Sequence, residues 1–345
     1  MSAAVVEPGE IPVLREQGWA RVVLATACLL LIPLTPLFRV LLPVEQTALL
    51  LAPALAALAV AGWLSGGRAA LAIVWVAIAT WSVVQLSGGG LFSLLQGGFA
   101  LLVAASFGAL VVARRNSSSP FLPRAIVAVM VALGLSLAIT VVVPGGPTRV
   151  ADGVAAEAGR RAEASRASWR QVTGTPEWKE FVVENQPAGE MAAMVDAQLA
   201  ALPTTSRLLF PSLIALEALA ALAVAWALYH RIGRARIGPP LAAVRDFRFN
   251  DHLVWGVIAG LGMMLLPGLV LVRAIGANLL VFFGALYTIR GVGVFMFVAA
   301  PGRLATALLI VVALLFWNVL GVMALGLGVG DTWLDWRSRA RPKKS

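Results

Sequence analysis

Residues 208–229 read LLFPSLIALEALAALAVAWALY, and the loop that follows carries Arg231, Arg234, Arg236, Arg245 and Arg248 around Gly238-Pro239-Pro240. An apolar run of about 20 residues matches the hydrocarbon core of a bilayer. Arginines massed at one end of such a run mark its cytoplasmic side. The stretch is therefore expected as a transmembrane helix that ends inside. The same pattern recurs upstream from Arg21 to Leu42, Gln46 to Leu64, Ala69 to Ser87, Leu91 to Ala113 and Ala125 to Val143. Downstream it recurs from Leu253 to Val272, Gly276 to Val298 and Leu304 to Gly328. The fold class predicted is all-α: a polytopic transmembrane helical bundle of eight or nine membrane segments, with a small external insert of amphipathic helices.

Composition agrees. Of 345 residues 60% are apolar and 13% charged, and the mean hydropathy of +0.88 lies outside the soluble range. A cytosolic enzyme is excluded. Cys28 stands alone, which rules out a disulfide framework within the chain and a cysteine-based zinc site. The net charge of +10 does not point to nucleic acid, because Lys and Arg flank apolar segments and do not cluster with aromatics on a polar face. Positive-inside topology accounts for it. With Arg114, Arg115 and Arg124 inside, the N-terminus is cytoplasmic, the insert external and the five-arginine loop cytoplasmic.

The chain divides into a cytoplasmic segment (1–18) without a signal-peptide pattern, a five-helix membrane bundle (19–144), an insert (145–206) and a sixth span (207–230). A basic loop (231–251), C-terminal membrane helices (252–330) and a basic interfacial tail (331–345) complete it. The insert holds six basic and eight acidic residues, unlike the basic loops. Within it Thr175 and Pro176 make an N-cap and N1 pair. Trp178, Phe181 and Val182, then Met191, Met194, Val195 and Leu199, form apolar helical faces. Three full spans after residue 230 would strand the basic tail outside. Either one of them is re-entrant or the tail breaks the charge rule, and Pro267-Gly268 makes Leu253 to Val272 the candidate for a bent or partial span.

Ionisable groups inside a bilayer are costly and become functional candidates. Glu217 is central in the sixth span and Arg290 lies within a later one, so a Glu217–Arg290 pair is expected, as a packing bridge or as a ligand or ion site. Asn278 is a nearby polar partner. Trp81, Gln85 and Gln96 are the expected contacts of a solute in the external half. Arg231, Arg234, Arg236, Arg337 and Arg339 are expected at the membrane surface against anionic headgroups. Gly256 to Gly260 and Gly284 to Gly293 read as close helix-packing surfaces. His230 and His252 lack metal-ligand spacing, no phosphate loop occurs, and no serine or zinc hydrolase signature is present. No metal and no cofactor are expected, and no enzymatic activity.

Phe247-Arg248-Phe249-Asn250 leading to Trp255, Asn278-Leu279-Leu280-Val281, Ile289-Arg290-Gly291-Val292-Gly293-Val294, and Asp331, Trp333, Asp335 and Trp336 ahead of Arg337 resemble the YybS-like family of bacterial membrane proteins, a domain of unknown function. The similarity covers about residues 245 to 337. In such proteins the position of Arg290 is often an amide, so the charge here is a departure. The resemblance implies a bacterial cytoplasmic membrane location and a fold-level relation to S components of energy-coupling-factor transporters and to rod-shape proteins of the MreD type. It implies no particular activity. Two functions fit: a solute-binding transport subunit that relies on separate ATPase and coupling subunits, or a scaffold for cell-envelope or division proteins.

Overall fold

Thirteen α-helices and no strand occur among the described residues of the computed structural model, which are 19–31, 40, 43–86, 91–114, 119–142 and 144–339. The expected N-terminal segment, the second half of the first span and the last residues of the tail lie outside them. In chain order the helices are α1 (Ala20–Leu31), α2 (Val44–Leu64), α3 (Ala69–Leu86), α4 (Leu91–Ala113), α5 (Phe121–Val142), α6 (Gly146–Thr173) and α7 (Pro176–Glu184). Then follow α8 (Gln186–Ile232), α9 (Val254–Met264), α10 (Val270–Ala299), α11 (Arg303–Leu315), α12 (Trp317–Leu334) and α13 (Trp336–Arg339).

Five of these, α2, α4, α5, α8 and α10, are both long and apolar enough to cross a membrane, while α3, α9 and α12 are apolar but shorter. The chain is a polytopic α-helical membrane bundle. Its core is formed by α2, α4, α5 and α8, with Phe282 and Leu286 of α10 joining it. Trp226 of α8 packs 5.8 Å from Phe107 and 5.7 Å from Phe121, ring centre to ring centre. Small residues such as Ala54, Ala128, Ala218 and Ala225 let the backbones approach around these rings.

Helix α8 has 47 residues, about 70 Å of helix, and is therefore more than the sixth span. It begins in the insert and continues as one helix into the bundle, with Pro203 and Pro211 inside it. The insert is a helical hairpin built on it: Val154, Ala158, Ala162 and Ser165 form one buried stripe of α6, and Ala162 packs against Leu199 and Leu202 of α8. Asp152 and Arg207 close the base of the hairpin at 2.8 Å. Thr175 caps α7 as its sequence predicts, its hydroxyl accepting from the Trp178 N–H at 3.3 Å.

At the other end the arginine loop is pinned by backbone carbonyls. Trp226 Nε1 donates to Pro239 at 3.0 Å, Tyr229 Oη to Ala235 at 3.1 Å, and the wholly buried Arg124 to Ile237 at 2.9 Å. Beyond the loop, α9 has only 11 residues, about half the thickness of a bilayer core. It turns at Gly268 (φ 77°) and packs along α10. Leu253 to Val272 thus holds one short apolar helix and a turn, packed on the longer α10. Glycines set the contacts: a Cβ on Gly276 would stand 2.7 Å from the Gly260 carbonyl oxygen, and one on Gly291 would overlap the Ala324 carbonyl oxygen of α12.

The α10–α12 crossing leaves no room for a side chain. Gly291→Val is expected to lose at least about 3 kcal/mol of stability, seen as a lower unfolding temperature in detergent. Gly284→Ala, where a Cβ meets nothing within 4 Å, is expected to change it little.

Candidate functional site

Polar atoms buried in an apolar bundle need partners, and the insert half of this bundle holds four in one chain. Gln46 and Thr47 occupy the first turn of α2, Gln96 the second turn of α4, and Glu217 the middle of the membrane part of α8. All four are buried. Thr47 Oγ1 donates to Glu217 Oε1 at 2.9 Å, Gln46 Nε2 donates to Glu217 Oε2, and Gln96 Nε2 donates to Gln46 Oε1. Both carboxylate oxygens are therefore satisfied by α2, and α4 steadies the amide that does so.

Above this centre lies α6. A cavity of 20 Å³, room for about one water, is lined by Gln46, Phe92, Ser206 and the Glu157 and Arg161 side chains of the insert. Arg161 stacks 5.3 Å over the Phe92 ring and donates to Glu157 at 2.8 Å. Burial pushes the Glu157 carboxyl up, but hydrogen bonds and charge from Arg160 and Arg161 outweigh it and hold it below the usual carboxylate range. The stabilisation from Glu157 is thus present at neutral pH and is lost as pH falls through that lowered value. The arrangement is a buried carboxylate with two amides and a hydroxyl, roofed by an ion pair on a helix that is not part of the bundle core.

A second polar centre sits in the C-terminal helices. Arg290, 3% exposed, donates from Nε to Asp331 at 3.0 Å and from Nη1 to Asp251 at 2.6 Å. Its guanidinium lies 5.4 Å from the Phe249 ring centre and 5.9 Å from that of Tyr287. Arg337 donates to the Arg290 carbonyl at 3.3 Å and to the Phe247 carbonyl at 3.0 Å. The arginine loop, α10, α12 and α13 are thereby tied together. Burying this guanidinium between two carboxylates offsets its lost hydration.

The expected Glu217–Arg290 pair does not form. Glu217 is satisfied by Gln46 and Thr47 and Arg290 by Asp251 and Asp331, because each had nearer polar partners in segments whose polar residues read as span edge, loop or tail. Asn278 joins neither. Its amide accepts from the Ser212 N–H at 3.0 Å and donates to the Leu208 carbonyl at 2.8 Å. Those two backbone groups flank Pro211, which interrupts the helix ladder. Gln96 is in the polar chain, whereas Trp81, 64% exposed, and Gln85 lie on the outer face of α3 and contribute nothing to it. Arg234, Arg236 and Arg339 are exposed and Arg231 half-buried. Arg337 is 2% exposed and is an interior residue, not a headgroup contact. Asp331 to Leu334 belong to α12, and only Trp336–Arg339 form the short terminal helix.

Sequence reasoning missed Gln46, Thr47, Asp251 and Asp331. Asp331 carried a signal: it follows the apolar run from Trp317 without a break, in register with Ala324 and Gly328. Among the described residues no group of three His, Cys, Asp or Glu is placed to hold a metal ion.

Fold and polar centres define a helical integral membrane protein with a buried carboxylate site beneath an extramembrane hairpin. The chain belongs to the family described as "Predicted membrane protein (DUF2232)", which matches residues 29–332. No curated protein and no solved structure matches it.

Arg290→Gln and Asp331→Asn are each expected to cost about 3–5 kcal/mol, and the double variant much less than their sum. Glu217→Gln combined with Arg290→Gln should be additive within about 0.5 kcal/mol. Thermal or denaturant unfolding of the single and double variants measures both couplings, and a large Glu217–Arg290 coupling would sink the assignment.

Proposed function

We propose that the chain is an S-component-like transport subunit of the bacterial cytoplasmic membrane, binding a small polar solute from the external side without enzymatic chemistry of its own. The observation that carries this reading is the hydrogen-bonded chain Gln96, Gln46, Glu217 and Thr47 lying directly below the Glu157–Arg161 pair of the insert. A fully buried carboxylate set among amides is costly to maintain as mere packing. A hairpin rooted on α8 is suited to uncover it. In this topology the N-terminus and arginine loop are cytoplasmic and the insert external. Arg234, Arg236 and Arg339 meet anionic headgroups, and energy comes from separate ATPase and coupling subunits. The fold-level relation to S components that the YybS-like resemblance implies points the same way, by analogy.

A scaffold for envelope or division proteins is the second reading. It is favoured by the outer face of the insert, where Phe181, Met191 and Met194 are 49%, 63% and 58% exposed. Apolar side chains standing clear of the bundle suit contact with another protein.

Extraction of the tagged protein from its own host into nanodiscs, followed by mass spectrometry, separates the two. The transport reading expects ATPase or coupling proteins and a small molecule released on denaturation. Glu217→Ala should lower the amount of that molecule by about tenfold or more. Envelope or division proteins with no released molecule would overturn transport in favour of the scaffold.

A further inference from the structure

A separate cavity of 470 Å³ lies between α4, α5, the start of α6 and α8, within the size range of small-molecule sites. Phe99 of α4, Leu133 of α5, Val150 of α6 and Ile214 of α8 line it, and apart from Arg207 its only polar lining residues are Ser136 and Thr140. The Thr140 hydroxyl is turned to the Leu137 carbonyl at 2.8 Å. Its interior therefore offers almost nothing to a hydrated solute. Met130 and Leu137, 49% and 60% exposed, stand at its rim on α5. Only 28% of the apolar window of that helix is buried inside the bundle, so the cavity opens sideways toward hydrocarbon.

Its insert end has the opposite character. Arg207 lines this end, where α8 leaves the apolar run, and Arg149 stands on α6 one residue before the lining Val150 without itself lining the cavity. Asp152 pairs with Arg207 at 2.8 Å, and Arg149 donates to the Pro144 carbonyl at 3.2 Å, which leaves its charge without a carboxylate partner in these contacts. A long apolar slot entered from the bilayer, with excess positive charge where headgroups lie, matches an alkyl chain carrying an anionic head. We propose that this lateral cavity is a binding site for an acyl chain of an anionic phospholipid of the surrounding leaflet, with the phosphate at Arg207 and Arg149. None of Gln46, Thr47, Gln96 and Glu217 lines the cavity, so the site stands whether or not the solute reading does.

Gly134 gives a direct test, since it lines the cavity and a Cβ there meets nothing within 4 Å. Gly134→Phe should fill the slot without moving backbone. Gly262→Phe, equally unobstructed on α9, is the control. Each full-length protein is carried through the same delipidating detergent wash, and retained phospholipid per chain is counted by lipid extraction and mass spectrometry. Wild type and Gly262→Phe are expected to keep about one phospholipid more than Gly134→Phe. Phosphatidylglycerol spin-labelled near the chain end should show an immobilised component that Gly134→Phe lacks. Equal retention by a folded Gly134→Phe protein overturns the proposal, as does recovery of free fatty acid or neutral lipid in place of phospholipid. Arg207→Gln keeps the test alive if Gly134→Phe does not fold. It should lower the preference for anionic over zwitterionic label about fivefold, and an unchanged ratio overturns the assignment.

Discussion

A peptide N–H or C=O facing hydrocarbon finds no partner except within its own helix. In this chain that constraint governs every apolar segment and also the places where a helix is interrupted. Pro211 breaks the ladder of α8, and the Asn278 amide crosses from α10 to reach the Ser212 N–H and the Leu208 carbonyl. The carbonyls of the arginine loop are met by Trp226, Tyr229 and Arg124. Side chains therefore complete backbone hydrogen bonding at the defects, and the same contacts fix which helices are neighbours.

The two polar centres answer a different cost, that of removing charge from water. Around Arg290 the solution is compensation by two carboxylates and two ring faces, while Arg337 beside it donates to the Phe247 and Arg290 carbonyls. Around Glu217 no cation of the bundle core takes part, and neutral donors from α2 do the work. The first arrangement knots four elements together and leaves little free capacity. The second holds a carboxylate in place with groups that exchange partners at small cost, which is why the site, and not the knot, carries the functional reading.

How much of this was legible in the sequence follows from what kind of signal each feature leaves. Length and apolarity mark α2, α4, α5, α8 and α10 directly, and the Thr175-Pro176 cap and the close contacts at Gly256, Gly260, Gly291 and Gly293 are local enough to read, whereas Gly284, expected on the same face, meets nothing within 4 Å. The early end of α9 follows from Pro267-Gly268. Partner choice is not local. Glu217 and Arg290 are each conspicuous as lone charges in apolar runs, but nothing in one chain says that residues 46 and 47 come to the first and residues 251 and 331 to the second. Gln46 and Thr47 look like the edge of a span, and Asp331 like the start of a surface tail. Trp81 and Gln85 have the chemistry of ligand contacts, and only the rotation of α3 turns them outward.

Helix α8 is a mechanical element as well as a packing one. It carries one wall of the insert hairpin, Glu217 at its middle, and Trp226 and Tyr229 against the arginine loop at its far end. Pro203 and Pro211 lie between the first of these and the others. From Pro211 to the tip at Gln186 the rod is about 37 Å long, so a bend of about 10° at the proline swings the tip by about 6 Å. The helix thus has the geometry of a lever, its pivot clasped by Asn278 and its short arm anchored in the bundle, and because α6 packs along the long arm at Leu199 and Leu202 the two helices of the hairpin would swing together.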